Sequence, residues 1–258
     1  MNETESDETF ARRRTSFGPG AATYDQVRPE WPAQTVTWML GSPAAATVCR
    51  VVDVGAGTGK GTRAIASLGH EVIAVEPSDG MREALATSLH SLPAQLAGHV
   101  LVLAGDAEGI PVEAGSADAV AAFQAWHWFD SGAAAAEGAR VLRTGGWLSM
   151  GWHFRSEDVG WSRTLSDIVE HHAKQPEDQE PPSVGREYEP FETELFTYRM
   201  RQSVEDLVRH ASTWSYVSVH PDRDRVLDDV RALGRSVADG QGMVDIPMET
   251  RCYRFRRR

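Results

Sequence analysis

Three features of the sequence predict an α/β fold with a mostly parallel sheet covered by helices on both faces. Val51-Val52-Asp53-Val54 is an apolar strand that runs straight into Gly55-Ala56-Gly57-Thr58-Gly59, with glycine at every second position. Val72-Ile73-Ala74-Val75 is a second apolar run, and it ends on Glu76-Pro77. From there strand and helix patterns alternate as far as Trp152, which requires parallel strands joined by crossover helices. The strands are near-continuous apolar runs, as a sheet buried on both faces demands.

Residues 1–15 are polar, acidic and then basic, and read as a disordered tail. Residues 16–46 carry scattered aromatics and prolines, with a short helix over 32–40. Strand one is 50–54. The helix 59–68 stops at Gly69, a residue suited to the left-handed position after a helix. Strand two is 71–75, and Ser78 or Asp79 caps a helix running to Leu89. Strand three is 100–104 and strand four 117–123. Asp130 or Ser131 caps an alanine-rich helix ending near Leu142, and Gly145-Gly146 turns the chain into strand five, 147–152. Beyond it the regularity breaks. A helix over 161–172 leads into a polar, Pro/Glu-rich stretch, 191–203 alternates like a strand, 204–214 and 222–237 read as helices, and 248–255 as a final strand.

Composition narrows the function. The 258 residues suit one large domain, or one domain with a cap. With 37 acidic against 26 basic residues the net charge is −11, which argues against a surface that neutralises phosphates. Arg12-Arg13-Arg14 and the arginines at 254–258 read as solvated ends. A small-molecule substrate is expected, with neither nucleic acid nor membrane as partner, in a monomer or homodimer. Cys49 and Cys252 make no disulfide framework, and His171-His172 point to different faces of a helix, so no metal site is expected. No apolar run reaches the ~18–20 residues that span a bilayer, and Met1 to Glu8 lack an apolar leader core, so a cytoplasmic protein is expected.

The glycine loop lets backbone amides approach a ligand where a Cβ would collide, and a carboxylate ending the next strand can accept both hydroxyls of a ribose. That combination points to a nucleoside-containing cofactor. A dinucleotide loop needs a third glycine where this chain has Lys60; a P-loop needs Ser or Thr where it has Gly61 and Gly where it has Val54. Both phosphate loops fail on spacing. A ligand-free strand-to-helix turn is the bland alternative.

Asp53-x-Gly55-x-Gly57-x-Gly59 resembles the first motif of the class I S-adenosylmethionine-dependent methyltransferases. Gln124-Ala125-Trp126-His127-Trp128-Phe129-Asp130 is similar to the Q-A-x-H-W-F-D segment of a small-molecule subgroup of that family. That subgroup also carries Y-x-x-x-R-P near its start, matched here by Tyr24, Arg28 and Pro29. The resemblance implies a Rossmann-like seven-stranded sheet, closed by an antiparallel pair at 192–201 and 248–256. It makes 16–258 the methyltransferase domain, with 16–46 covering the cofactor and helical cap segments at 155–190 and 204–246. The implied cofactor is S-adenosyl-L-methionine, with S-adenosyl-L-homocysteine as product.

The resemblance also implies roles for individual residues. Asp53 orients the loop, and Gly55, Ala56, Gly57 and Gly59 line the methionine and ribose. Glu76, with Pro77 after it, takes the ribose hydroxyls, and Met81 packs on the adenine. Asp106, Ala107 and Glu108 meet the adenine edge. Tyr24 and Arg28 reach the methionine carboxylate, a natural partner for a guanidinium. Gln124 and Ala125 sit beside the methyl group. His127, and less directly His153, are candidate proton acceptors. Trp126, His127, Trp128, Trp152 and Trp161 are candidates for a substrate wall. The N/D-P-P-Y/F motif of amine-directed relatives is absent, which disfavours exocyclic amines of nucleic-acid bases; methyl transfer to a small molecule, at oxygen, is the expected reaction. The alternative is a cofactor-binding homologue that does not methylate, a regulator or a cyclase.

Overall fold

The structure is a computed structural model that describes residues 25–41, 47–170 and 181–258. Seven strands form one sheet in the order β3-β2-β1-β4-β5-β7-β6. They are β1 (Arg50–Val54), β2 (Glu71–Val75), β3 (Val100–Leu103), β4 (Ala117–Phe123), β5 (Leu142–Arg155), β6 (Glu192–Ser203) and β7 (Met243–Arg256). The first five are parallel, with Val52 opposite Ile73 on one side and Val120 on the other. β7 runs antiparallel to its neighbours: Gly145 donates to the carbonyl of Arg257 while, further along, Ser156 donates to that of Pro247. The predicted sheet and its closing pair are therefore present.

Residues 30–41, 47–154, 181–196 and 249–258 form one compact unit. In it, consecutive strand residues enter opposite cores. Val52, Val54, Val120 and Ala122 join one cluster; Val51, Ala119, Ala121 and Phe123 join another. This is the period-two signature of a sheet buried on both faces. Helices α1 (Ala33–Met39), α2 (Lys60–Ser67), α3 (Asp79–Ser88), α4 (Ala94–Ala97) and α5 (Ser131–Val141) belong to this unit. α2 stops where expected, at Gly69 with φ +83°. The Asp130 carboxylate caps α5 by accepting from the amides of Gly132 and Ala133, both at 3.0 Å.

Residues 25–29, 155–170 and 197–248 form the other compact unit. It holds α6 (Gly160–Ile168), α7 (Val204–Ser212), α8 (Ser215–Ser218) and α9 (Arg223–Val237). Its own core joins Leu165, Leu207, Trp214, Val230 and Ile246.

Four boundaries differ from expectation. β5 begins at Leu142, not 147, because a bulge absorbs the Gly145-Gly146 excursion between the Ala117–Leu142 and Ala119–Trp147 pairs. β7 begins at Met243, so the helical connection proposed for 204–246 ends at Val237. The single helix expected over 204–214 breaks at Thr213, whose hydroxyl donates to the carbonyl of His210 at 2.7 Å. α4, preceded by Pro93, was not expected. Tyr24, the tail 1–15 and His171-His172 lie outside the described residues.

Candidate active site

The carboxyl ends of β1, β2 and β4 meet around the glycine loop. Gly55, Gly57 and Gly59 have φ of +66°, +56° and +88°, a region that only glycine enters at little cost. They are glycine for different reasons. A Cβ on Gly55 would lie 2.8 Å from that of Ala125, and one on Gly59 would lie 2.9 Å from Cγ of Leu85. A Cβ on Gly57 would meet nothing nearer than 4.0 Å. Gly57 therefore faces open space, and it is there that the loop's backbone is accessible.

The Glu76 carboxylate ties this loop to the end of β2. Its Oε2 accepts from the amide of Gly57 at 2.9 Å, and its Oε1 from the amide of Ser78 at 3.0 Å. Ser78 then caps α3, accepting from Met81 N. Met81 is buried, Pro77 exposed and Ala56 buried.

Asp53 is completely buried at the end of β1. Its Oδ2 accepts from the Thr62 hydroxyl at 2.6 Å, whereas its Oδ1 is buried with no hydrogen-bond partner. Burial pushes its carboxyl up to about 7; the Thr62 hydrogen bond opposes the rise and the Glu76 charge adds to it. A buried carboxylate oxygen left without a donor is unusual, and an ammonium group is the chemistry that would satisfy it. Lys60, the residue that breaks the dinucleotide spacing, forms an ion pair with Glu30, and Arg63 lies 3.6 Å from the same carboxylate.

After β3, Asp106 and Gly109 form an isolated bridge, Ala107 is buried, and Glu108 accepts from the amide of Asp130 at 2.7 Å. After β4, Gln124 adopts φ +56°, strained for a residue with a side chain. Its amide donates to the carbonyl of Gly151 at 2.9 Å and its Nε2 to that of His153 at 3.1 Å, so β5 holds the strained turn in place. Ala125 is buried beside Gly55.

His127 lies in a short 3-10 turn, Trp126–Trp128. Its Nδ1 accepts from Trp152 Nε1 at 3.2 Å. The neutral ring therefore carries its proton on Nε2, and accepting a proton requires Nδ1 to release the Trp152 N–H. Trp126 and Trp152 are each 4% exposed within the core. His153 stacks on Trp31, with centroids 3.9 Å apart, and bonds Thr250 Oγ1 at 2.7 Å. Two expected residues belong to the helical unit: Trp161 packs against its core, and Arg28 donates to Thr213 Oγ1 and O at 3.0 and 2.9 Å. Neither the orphaned oxygen of Asp53 nor the strain at Gln124 is visible in a sequence, although a carboxylate ending an apolar strand is a usable signal for the first.

Comparison with known proteins places this geometry. The methyltransferase-domain family matches residues 52–150. An uncharacterised methyltransferase of Mycobacterium bovis is 37% identical over 243 residues, covering 93% of this chain and 94% of its own. Another, from Schizosaccharomyces pombe, is 29% identical over 211 residues, 80% and 81% of the two chains. Among solved structures, a putative type II methyltransferase from Anaeromyxobacter dehalogenans superposes with a TM-score of 0.66 at 21% identity, over 89% of this chain and 97% of that one. A geranyl diphosphate methyltransferase in complex with S-adenosylmethionine gives 0.51 at 14% identity, over 100% and 93%. These last two likenesses concern the fold alone. The chain belongs to the class I S-adenosylmethionine-dependent methyltransferases.

Proposed function

We propose that this enzyme binds S-adenosyl-L-methionine at the glycine loop and transfers its methyl group to an oxygen of a small molecule. The observation that carries the cofactor reading is the pairing of an accessible Gly57 backbone with two acidic side chains of distinct character. Glu76 is the ribose acceptor: its carboxylate already accepts two amides, and its position at the end of β2 suits a diol. Asp53 offers the orphaned Oδ1 to the methionine ammonium. Gly55 and Ala125 set the close approach of β4 to the loop, and Gln124, in its strained turn, lies beside the reacting centre. Met81 and Asp106 with its neighbours surround the adenine. When bound, the cofactor supplies an electrophilic methyl on a sulfonium, so the protein has to orient the acceptor and exclude water.

The acceptor reading rests on the segment between β4 and α5. Gln124-Ala125-Trp126-His127 lacks the motif that holds the exocyclic amines of nucleic-acid bases, and it places His127 in the turn that follows β4. Incubation with methyl-labelled cofactor and matched panels of hydroxy, carboxylic and amino compounds tests it. Labelled methyl ether or ester is the expected product, and label confined to the amines would overturn the oxygen assignment.

A further inference from the structure

Among the described residues the helical unit contains a guanidinium that no carboxylate pairs with. Arg155, the last residue of β5, lies over the Trp214 ring at 4.2 Å. Its Nη1 donates to the Tyr216 hydroxyl and its Nη2 to Ser166 Oγ, both at 3.4 Å, beyond the usual length for such bonds. Its Nε is buried with no partner at all. Among the described residues no carboxylate pairs with it, although the chain carries 37 of them. Both of its hydrogen-bond partners are neutral hydroxyls. Ser162 lies one turn before Ser166 on the same face of α6, and its Oγ is also buried without a partner.

We infer that Arg155, with the hydroxyls of Ser166 and Tyr216, forms a binding site for the carboxylate of a small ligand. Arg155 is half-buried, and it is its Nε that is closed off without an acceptor, an orphaned donor that costs about 1–3 kcal/mol. Trp214 fixes the plane of the guanidinium, which leaves its fork ordered for a two-point contact with a planar anion. Such a contact takes up Nε together with one Nη and replaces the long bonds to neutral hydroxyls. The site goes beyond the proposed methyl transfer and does not depend on it.

Calorimetry with succinate, citrate and benzoate, and with succinamide as the uncharged control, tests the site without cofactor. At least one carboxylate is expected to bind the wild-type chain and succinamide is not. Arg155→Met should weaken that binding roughly tenfold or more, as loss of a charge-assisted pair does. Arg155→Lys keeps the stem and charge over Trp214 but removes Nε, and it should weaken binding several-fold while S-adenosylhomocysteine affinity stays unchanged. Adding S-adenosylmethionine separates two sources of the carboxylate: a probe that is methylated, with KM raised and kcat kept in Arg155→Lys, is the acceptor, and a probe bound but not methylated is a separate ligand. Failure of every carboxylate to bind the wild type, or equal affinity in Arg155→Lys, overturns the site.

Discussion

Asp53 concentrates the chemistry of the site in one side chain. Its carboxyl is raised from an ordinary 3.8 to about 7, first by burial, against the Thr62 hydrogen bond, with Glu76 adding to the rise. Between those two values the folded chain binds more protons than the unfolded one. The stability this group contributes is therefore complete below 3.8 and is lost as pH rises through about 7, with a slope of at most ~1.4 kcal/mol per pH unit. Asp53→Asn keeps an acceptor for Thr62 and abolishes the slope. Urea unfolding of both proteins from about pH 4 to 8 should show the wild type losing stability relative to the variant as pH rises; parallel curves would contradict the assignment. A ligand ammonium beside Oδ1 favours the carboxylate, so cofactor affinity should rise over the same range. Position alone made Asp53 and Glu76 legible in the sequence, because each ends an apolar strand beside a glycine loop. Arg155 was not legible, since its meaning comes from Trp214, Tyr216 and Ser166, which only the fold brings to it.

The glycine loop shows how one element combines two constraints. Gly61, in the first turn of α2, does not need a positive φ, but a Cβ there would lie 2.3 Å from Cδ2 of the buried Phe123 ring. Gly61→Ala should therefore cost about 1–3 kcal/mol in urea unfolding, the cost of overpacking. Gly57→Ala has open space at the Cβ, so its cost of about 1–2 kcal/mol is that of a left-handed backbone, and it should weaken cofactor binding as well. Equal stability of Gly61→Ala and wild type would remove the packing argument. The strands of the parallel half were readable because burial on both faces makes each a bounded apolar run, and Gly69 and Asp130 marked helix ends by local chemistry. β5 and β7 were read too short because their outer ends are mixed in polarity, and the break at Thr213 depends on a side-chain hydrogen bond that periodicity does not carry.

At the scale of the molecule, a sheet with two-sided burial brings the carboxyl ends of its parallel strands to one edge, and in the helical unit Arg155 has no carboxylate partner among the described residues. Among the described residues no helix is long and apolar enough to cross a membrane. Family membership defines methyl transfer, and the proposal is that residues at the strand ends hold the donor. Calorimetric titration of wild type and Glu76→Ala with S-adenosylhomocysteine, with NAD as the control, tests that central claim most directly. The wild type should bind S-adenosylhomocysteine and not NAD, and Glu76→Ala should weaken binding by roughly tenfold to a hundredfold, about 1.4–2.8 kcal/mol. Unchanged affinity in Glu76→Ala, or binding of NAD in place of S-adenosylhomocysteine, would contradict the account.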